Sequence, residues 1–118
     1  MIGLSEHHSY YLCDVSVDMR KGFNGLTGII RDYLGRDPLD GCAYIFLNGA
    51  RNRIKVLLWE GDGYSMYYKR LEKGTYDHPI VTKDGSDYQI KWDHFWSILR
   101  GIKWEKLERK VRFELGVK

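Results

Sequence analysis

Basic residues recur in three short stretches of this 118-residue sequence, and such groups can bind a polyanion. They are Arg20 and Lys21, then Arg51, Arg53 and Lys55, and finally Lys69 and Arg70. Lysine and arginine neutralise phosphates, so the three groups suit DNA, provided that the fold brings them into one stripe. The net charge of +3 is mild. The same charges also suit solvated sheet edges, where they oppose aggregation.

The segment LLWEGDGYSMYYKRLEKGTY, residues 57–76, adds a second candidate surface made of aromatic residues. Its aromatic members are Trp59, Tyr64, Tyr67, Tyr68 and Tyr76. Aromatic side chains are enriched at the centres of protein interfaces. The first four therefore offer an alternative to DNA binding, namely the docking of a protein partner.

Patterns typical of catalysis are absent from the sequence. No GxGxxG or GxxxxGK[ST] phosphate loop occurs, and the GDG at 61–63 is typical of a hairpin turn. The histidines fit no HExxH pattern, and the two cysteines form no CxxC. We therefore expect no enzyme, no cofactor and no metal site. A metal-dependent nuclease using Asp14, Asp18, Asp32 and Asp62 is the remaining enzymatic alternative, but no spacing favours it.

Length and composition predict a single domain covering residues 1–118. No apolar run reaches the roughly 18 residues that a membrane span needs, and the N-terminus does not look like a secretory signal. We expect a soluble, cytoplasmic protein with no membrane association. Cys13 and Cys42 lie within apolar runs, which predicts reduced core thiols.

The first half of the chain predicts a strand and then a helix. Residues 9–13 are rich in strand formers, and apolar residues recur every three to four positions from Met19 to Leu34. Asp18 is the expected N-cap and Gly35 the expected stop. Three glycines, at positions 22, 25 and 28, either let the helix approach a sheet closely or break its first turn into a loop. We favour the close approach.

Three consecutive strands are predicted next, over residues 43–48, 53–60 and 64–72. Asn48-Gly49 and the GDG segment supply the turns between them. Alternation places Ile54, Val56 and Leu58 on one face of the second strand, opposite Lys55, Leu57 and Trp59. One arrangement then leaves Lys55, Trp59, Tyr67 and Lys69 together on a mixed face.

The C-terminal part predicts a polar connection, a strand over 88–92 and a short helix over 93–101. Asp93 is its expected N-cap and Gly101 its stop, with Phe95, Trp96, Ile98 and Leu99 facing inward. Residues 102–118 could form a helix or a strand. The predicted class is α+β: an antiparallel β-meander of about four or five strands with one longer N-terminal helix and one short C-terminal helix.

Two segments, VDMRKGFNGL and AYIFLNGARNRIKVLLWEGDGYSMYYKRLEKG, resemble the TnpB accessory proteins of the insertion sequence 66 group of bacterial transposable elements. The resemblance runs from MIGL to SILRGIKW, nearly the whole chain. The matching residues are 18–23, Arg53, Lys55, Trp59, Gly61, Gly63, residues 69–72 and Gly74. The loop at 49–52 carries one arginine where relatives are more basic, and the tail lacks their proline- and arginine-rich ending.

The resemblance implies a role accessory to a larger, separately encoded transposase, with no catalytic residues to carry over. The leading hypothesis is therefore a non-enzymatic accessory protein of transposition. It would bind DNA at the element ends through the seven basic residues named first. The alternative is docking on the transposase, or on another element-encoded protein, through Trp59, Tyr64, Tyr67 and Tyr68. The sequence leaves the oligomeric state open.

Overall fold

The computed structural model of the protein describes residues 3–76, 82–84 and 87–100. In chain order the elements are β1 (Tyr10–Leu12), α1 (Phe23–Asp32), β2 (Ala43–Leu47), β3 (Arg53–Trp59), β4 (Tyr64–Arg70), β5 (Thr82–Asp84), β6 (Asp87–Ile90) and α2 (Trp92–Leu99). They form one six-stranded sheet with the strand order β4-β3-β2-β1-β6-β5. The predicted α+β class, with two helices of which the C-terminal one is short, is confirmed.

The sheet departs from a simple antiparallel meander at its centre. Strands β2, β3 and β4 follow one another antiparallel, as predicted, but β1 and β2 are parallel neighbours. The reason is that α1 connects them, and a strand–helix–strand crossover returns the chain in the same direction. Strand β5 lies in the segment predicted to be a polar connection and pairs with β6, so that prediction is wrong at residues 82–84.

Both faces of the sheet are buried, which explains why β3 is apolar on both sides. On one face, Leu26 and Ile30 of α1 pack in a cluster with Tyr11, Cys13, Tyr44, Phe46 and Leu57. On the other face, Phe95 and Ile98 of α2 pack in a cluster with Tyr10, Leu12, Ile45, Ile54, Val56, Leu58 and others. We call these the α1 face and the α2 face. Both cysteines are free thiols, Cys13 in the core and Cys42 half-buried, so the prediction of reduced thiols is confirmed.

Helix α1 is shorter than predicted at its N-terminus. It begins at Phe23 with Gly22 as its N-cap residue, so the predicted N-cap at Asp18 is wrong. A Cβ added to Gly22 or Gly28 would meet no described atom within 4 Å, and one on Gly25 would meet the Lys21 side chain at 3.0 Å. The glycines therefore do not mark a close approach to the sheet. Gly35, at φ 65, lies just beyond the helix end, as predicted.

Helix α2 begins one residue earlier than predicted. Lys91 is its N-cap residue, and Asp93 lies in the first turn, where its charge complements the helix dipole. Phe95, Ile98 and Leu99 are buried as expected, but Trp96 is 46% exposed, so its predicted inward position is wrong. The predicted stop at Gly101 and the segment 102–118 lie outside the described residues.

Candidate nucleic-acid interface

The segment from Asp18 to Gly22 is a turn that lies against the sheet. The Asp18 Oδ1 atom accepts a hydrogen bond from the Arg20 amide at 2.9 Å, and the Asp18 carbonyl accepts one from the Lys21 amide at 3.1 Å. A carboxylate that bonds the backbone two residues on favours a turn over a helix. Arg20 and Lys21 are consequently displayed by a loop and do not belong to α1.

Lys55 of β3 attaches this loop to the sheet. Its side chain is only 6% exposed, and its ammonium donates to the carbonyl oxygens of Met19 and Lys21 at 2.7 and 2.8 Å. The same nitrogen lies 4.8 Å from the centroid of the Tyr68 ring. Lys55 was expected to contact DNA, but its ammonium is occupied within the protein. Its place in the structure is that of a link between the loop and β3.

Arg53 and Arg70 are direct partners across β3 and β4 on the α1 face. Residues directly opposite in an antiparallel pair have Cβ atoms about 5 Å apart, and like charges there repel each other. Arg70 is paired with Glu72, with Nη2 and Oε1 2.8 Å apart and both side chains exposed. Arg53 has no carboxylate partner among the described residues, and its Nη1 lies 3.5 Å from the Tyr68 hydroxyl. This side chain can therefore accept an anion without first losing an ion pair.

Two open clefts meet at Arg53. The first has a volume of about 390 Å³ and is lined by Val17, Asp18, Met19, Arg20, Asn48, Gly49 and Arg53. The second has a volume of about 320 Å³ and is lined by Arg53, Tyr68, Arg70 and Glu72. We call the two together the arginine cleft. Arg20, Arg53 and Arg70 all border it, although they come from three separate parts of the chain.

An ion pair with Asp18 fixes Arg20 at the rim of the cleft. The guanidinium Nη2 lies 2.7 Å from Oδ2 of the carboxylate, and the Arg20 side chain is 92% exposed. Hydrogen bonds from the Arg20 side chain and backbone lower the pKa of Asp18 to about 2. The pair is thus fully charged at neutral pH, and its arginine still faces solvent.

The β2–β3 loop carries Arg51 in a backbone conformation that side chains rarely adopt. Asn48 organises the loop: its Oδ1 accepts from the amides of Asn52 and Arg53 at 3.0 and 2.9 Å. Arg51 has φ 55, in the left-handed region that favours glycine. Its carbonyl accepts the Tyr76 amide at 2.7 Å. Hydrogen bonds on either side of Arg51 therefore hold this residue in its strained conformation.

Lys69 lies on the opposite face of the sheet. It is the register partner of Ile54, and its ammonium donates to the carbonyl of Leu99 at 3.1 Å, near the end of α2. The expectation that the basic residues of β3 and β4 form one stripe is therefore wrong. Odd-numbered residues of β3 share a face with even-numbered residues of β4, so Arg53 meets Arg70 and not Lys69.

The four aromatic residues divide in the same way. Trp59 and Tyr64 are register partners on the α1 face, with ring centroids 4.9 Å apart, and Tyr67 packs on the α2 face. Tyr68 is 48% exposed and borders the arginine cleft. Phe23, which was not predicted as part of an aromatic surface, is 46% exposed and stacks on Tyr64 with ring centroids 6.4 Å apart. Its position as the first residue of α1, which faces the sheet, could have indicated it.

Metal-binding clusters and membrane-spanning helices are two features that the described residues do not form. Over residues 3–76, 82–84 and 87–100, no three His, Cys, Asp or Glu side chains are arranged to hold a metal ion. Neither described helix combines the length and the apolar run required to cross a bilayer. The arginine cleft, by contrast, brings three arginines to one surface.

Comparisons with known proteins agree with the resemblance noted above. Two curated relatives from Sinorhizobium fredii (strain NBRC 101917 / NGR234) are each 31% identical: uncharacterized protein y4jC over 93% of this chain and 92% of its own, and uncharacterized protein y4hO over 74% of each. No solved structure matches. The family model described as IS66 Orf2 like protein matches residues 8–109, and the chain therefore belongs to this family of insertion-sequence accessory proteins.

Proposed function

We propose that this chain is a non-enzymatic accessory protein of transposition that binds DNA through the arginine cleft. The observation that carries the proposal is the meeting of Arg20, Arg53 and Arg70 around one open surface. A guanidinium binds phosphate through two parallel hydrogen bonds, so three of them can hold successive parts of a DNA backbone. Membership of an insertion-sequence family makes DNA at the element ends the natural ligand.

The unbalanced charge at Arg53 gives the cleft its attraction for phosphate. Arg53 and Arg70 are opposite each other across the strand pair, and Glu72 lines the same part of the cleft and, among the described residues, pairs with Arg70 alone. A phosphate placed between the guanidinium groups would remove their mutual repulsion. The Glu72 carboxylate competes for Arg70, but the exposed pair is weak and can be exchanged for a phosphate.

A salt-titrated binding assay tests the proposal. Fluorescence anisotropy would follow a labelled DNA carrying the element end between about 50 and 200 mM salt. We expect a steep fall in affinity, because neutralised phosphates release counterions. Arg53→Gln and Arg70→Gln should each weaken binding about tenfold and reduce the slope of log K against log salt by about 1.

Arg31→Gln is the matched control, since it removes the same charge from an exposed position in the last turn of α1. That position lies about 12 Å along the helix from Phe23, and Arg31 lines neither part of the cleft. Binding by the control should remain close to that of the unsubstituted protein. Equal effects of all three substitutions would mean that net charge, and not the cleft, governs binding. No binding even at the lowest salt would refute the proposal.

The proposed role contains no chemical step, and this part is tested separately. Incubation of the bound DNA with magnesium or manganese should leave the strands intact on a denaturing gel. Cleavage that depends on either metal would replace the accessory role with the nuclease alternative.

A second candidate function is docking on the transposase of the same element. It is supported by the aromatic cluster of Phe23, Trp59 and Tyr64, in which Phe23 keeps nearly half of its surface exposed. Binding of the purified transposase to the immobilised protein should weaken with Trp59→Ala. Trp96→Ala, which replaces an exposed tryptophan of α2, is the control. Equal binding by the two variants would show that the aromatic cluster is not the docking surface.

A further inference from the structure

Tyr68 lies against a buried lysine while nearly half of the residue stays exposed. Its register partner is Lys55, whose buried ammonium lies 4.8 Å from the ring centroid and is itself fixed by two carbonyl oxygens. A cation near an aromatic face attracts it and restrains the ring. The side chain nevertheless stays 48% exposed. Because the ring is already restrained, it loses little further conformational entropy when a ligand stacks on it.

Two of the three arginines of the cleft, Arg53 and Arg70, lie beside this ring. Arg70 follows Tyr68 by two residues on the same face, about 6.8 Å along the strand, and Arg53 lies opposite Arg70. Arg53 Nη1 is 3.5 Å from the Tyr68 hydroxyl, a distance too long for a strong hydrogen bond. The Arg53 guanidinium is therefore attached to Tyr68 only by one long, weak hydrogen bond to the hydroxyl. One base-sized platform and two phosphate-binding groups thus border one cleft.

We propose that the arginine cleft binds single-stranded DNA in preference to duplex DNA, with one base stacked on Tyr68 and its phosphate between Arg53 and Arg70. The inference rests on the proposed function and specifies its ligand. A ring can stack only on a base whose face is free, and in a duplex both faces of a base are covered by its neighbours. Cationic grooves with exposed aromatic residues are how proteins hold single strands.

The shape of the surface supports the same preference. A strand pair that reads the bases of duplex DNA must project into one of its grooves. Here Arg53 lies in a recess, with Val17 to Arg20 and the start of the β2–β3 loop lining the cleft on one side. Tyr68 and Arg70 line it on the other. A flexible single strand can follow such a recess more closely than a rigid duplex can.

The test compares two DNA ligands on the full chain. Anisotropy would measure binding of labelled oligo(dT) of about 16 nucleotides and of a labelled duplex of the same length. We expect the single strand to bind at least about fivefold more tightly at the same salt concentration. The salt dependence provides a second distinction, with a slope of about 0.7 per phosphate contact for a single strand and 0.9 for a duplex.

Substitution of Tyr68 identifies the platform. Tyr68→Leu, which keeps apolar cover over Lys55, should reduce single-strand affinity by about 5- to 150-fold, and Tyr68→Phe should retain most of it. Trp96→Leu removes an exposed aromatic residue of α2 and should leave affinity unchanged. Oligo(dT) containing 5-iodouracil should cross-link on irradiation, and mass spectrometry should place the cross-link on Tyr68. A purely structural role of Tyr68 would not give that adduct.

The outcomes separate this inference from the proposed function. Tighter duplex binding, or a Tyr68→Leu variant that binds oligo(dT) as the unsubstituted protein does, overturns the single-strand preference. If those results came with the expected losses in Arg53→Gln and Arg70→Gln, DNA binding through the cleft would stand. Failure to bind either DNA would overturn both.

Discussion

Replacing Lys55 with methionine should separate the loop at 18–22 from the sheet. Methionine has a similar length but no donor, so the carbonyl oxygens of Met19 and Lys21 would lose bonds of 2.7 and 2.8 Å. Hydrogen bonds from a charged donor are worth about 1.5–3 kcal/mol each, which sets an upper limit of about 3–6 kcal/mol. Relief of the buried ammonium's desolvation offsets part of this loss. We expect the free energy of unfolding to fall by about 2–3 kcal/mol.

Lys69→Met is the matched control, because Lys69 makes the same kind of bond from the other face of the sheet. Its ammonium donates to one described carbonyl, that of Leu99, at the longer distance of 3.1 Å, and the side chain is half-buried. The expected loss is about 1 kcal/mol. Urea unfolding followed by tryptophan fluorescence would measure both variants. In a melting experiment the Lys55 variant should lose about 8–12 °C, at roughly 4 °C per kcal/mol for a chain of this size.

The two lysine variants should also differ in where the structure loosens. Amide hydrogen exchange should accelerate at Arg20 and Lys21 in the Lys55 variant, because the loop loses its attachment, and not in the Lys69 variant. If Lys55→Met is no more destabilising than Lys69→Met, or if exchange in the loop is unchanged, Lys55 does not hold the loop. Its assignment as an internal link would then be refuted.

Three further predictions concern single side chains of the described structure. The Asp18 carboxylate should titrate near pH 2 in a carbon-detected NMR experiment. The stability that the ionised carboxylate contributes should be present above pH 4 and lost as the pH falls towards 2. Arg20→Gln should return the titration midpoint towards 3.8. Arg51→Gly should raise the free energy of unfolding by about 1 kcal/mol, because glycine accepts φ 55 without strain, and a drop in stability would contradict this. The Tyr76 hydroxyl is buried without a described partner, so Tyr76→Phe should be neutral or stabilising by up to about 1 kcal/mol, whereas Tyr10→Phe loses a bond of 2.7 Å and should destabilise by about 1 kcal/mol in urea unfolding.

The local elements follow from the sequence because their signals are local. The three central strands were predicted within two residues of their observed ends, since alternating apolar residues lie between turns such as Asn48-Gly49 and the GDG segment. Gly61 has φ 93 in that turn, and the Glu60 amide closes it on the Gly63 carbonyl at 2.9 Å. The start of α1 was missed because Asp18 can cap either a helix or a turn, and periodicity does not distinguish them.

The pairing of faces between strands could not be predicted in the same way. Alternation assigns residues to two faces within one strand, but the register decides which face of the next strand is shared. With apolar residues on both faces of β3 and β4, neither assignment of Tyr67 and Tyr68 looked wrong. The observed pairing of Trp59 with Tyr64 decides which faces are shared, and it places Lys69 on the opposite face of the sheet from Arg53. Because of this register, the cations of β3 and β4 do not form one stripe. Arg53 and Arg70 instead border the arginine cleft together with Arg20.

The residues that carry the family resemblance now divide by what they do in the fold. Lys55 is buried and bonded to two backbone carbonyls, so its charge serves the attachment of the loop. Arg20 and Arg70 are exposed and make only surface ion pairs, which add little to stability. Substitution of these arginines should therefore cost binding without costing folding, whereas substitution of Lys55 should cost both. That contrast makes the arginines, and not the lysines, the informative positions at which to look for function.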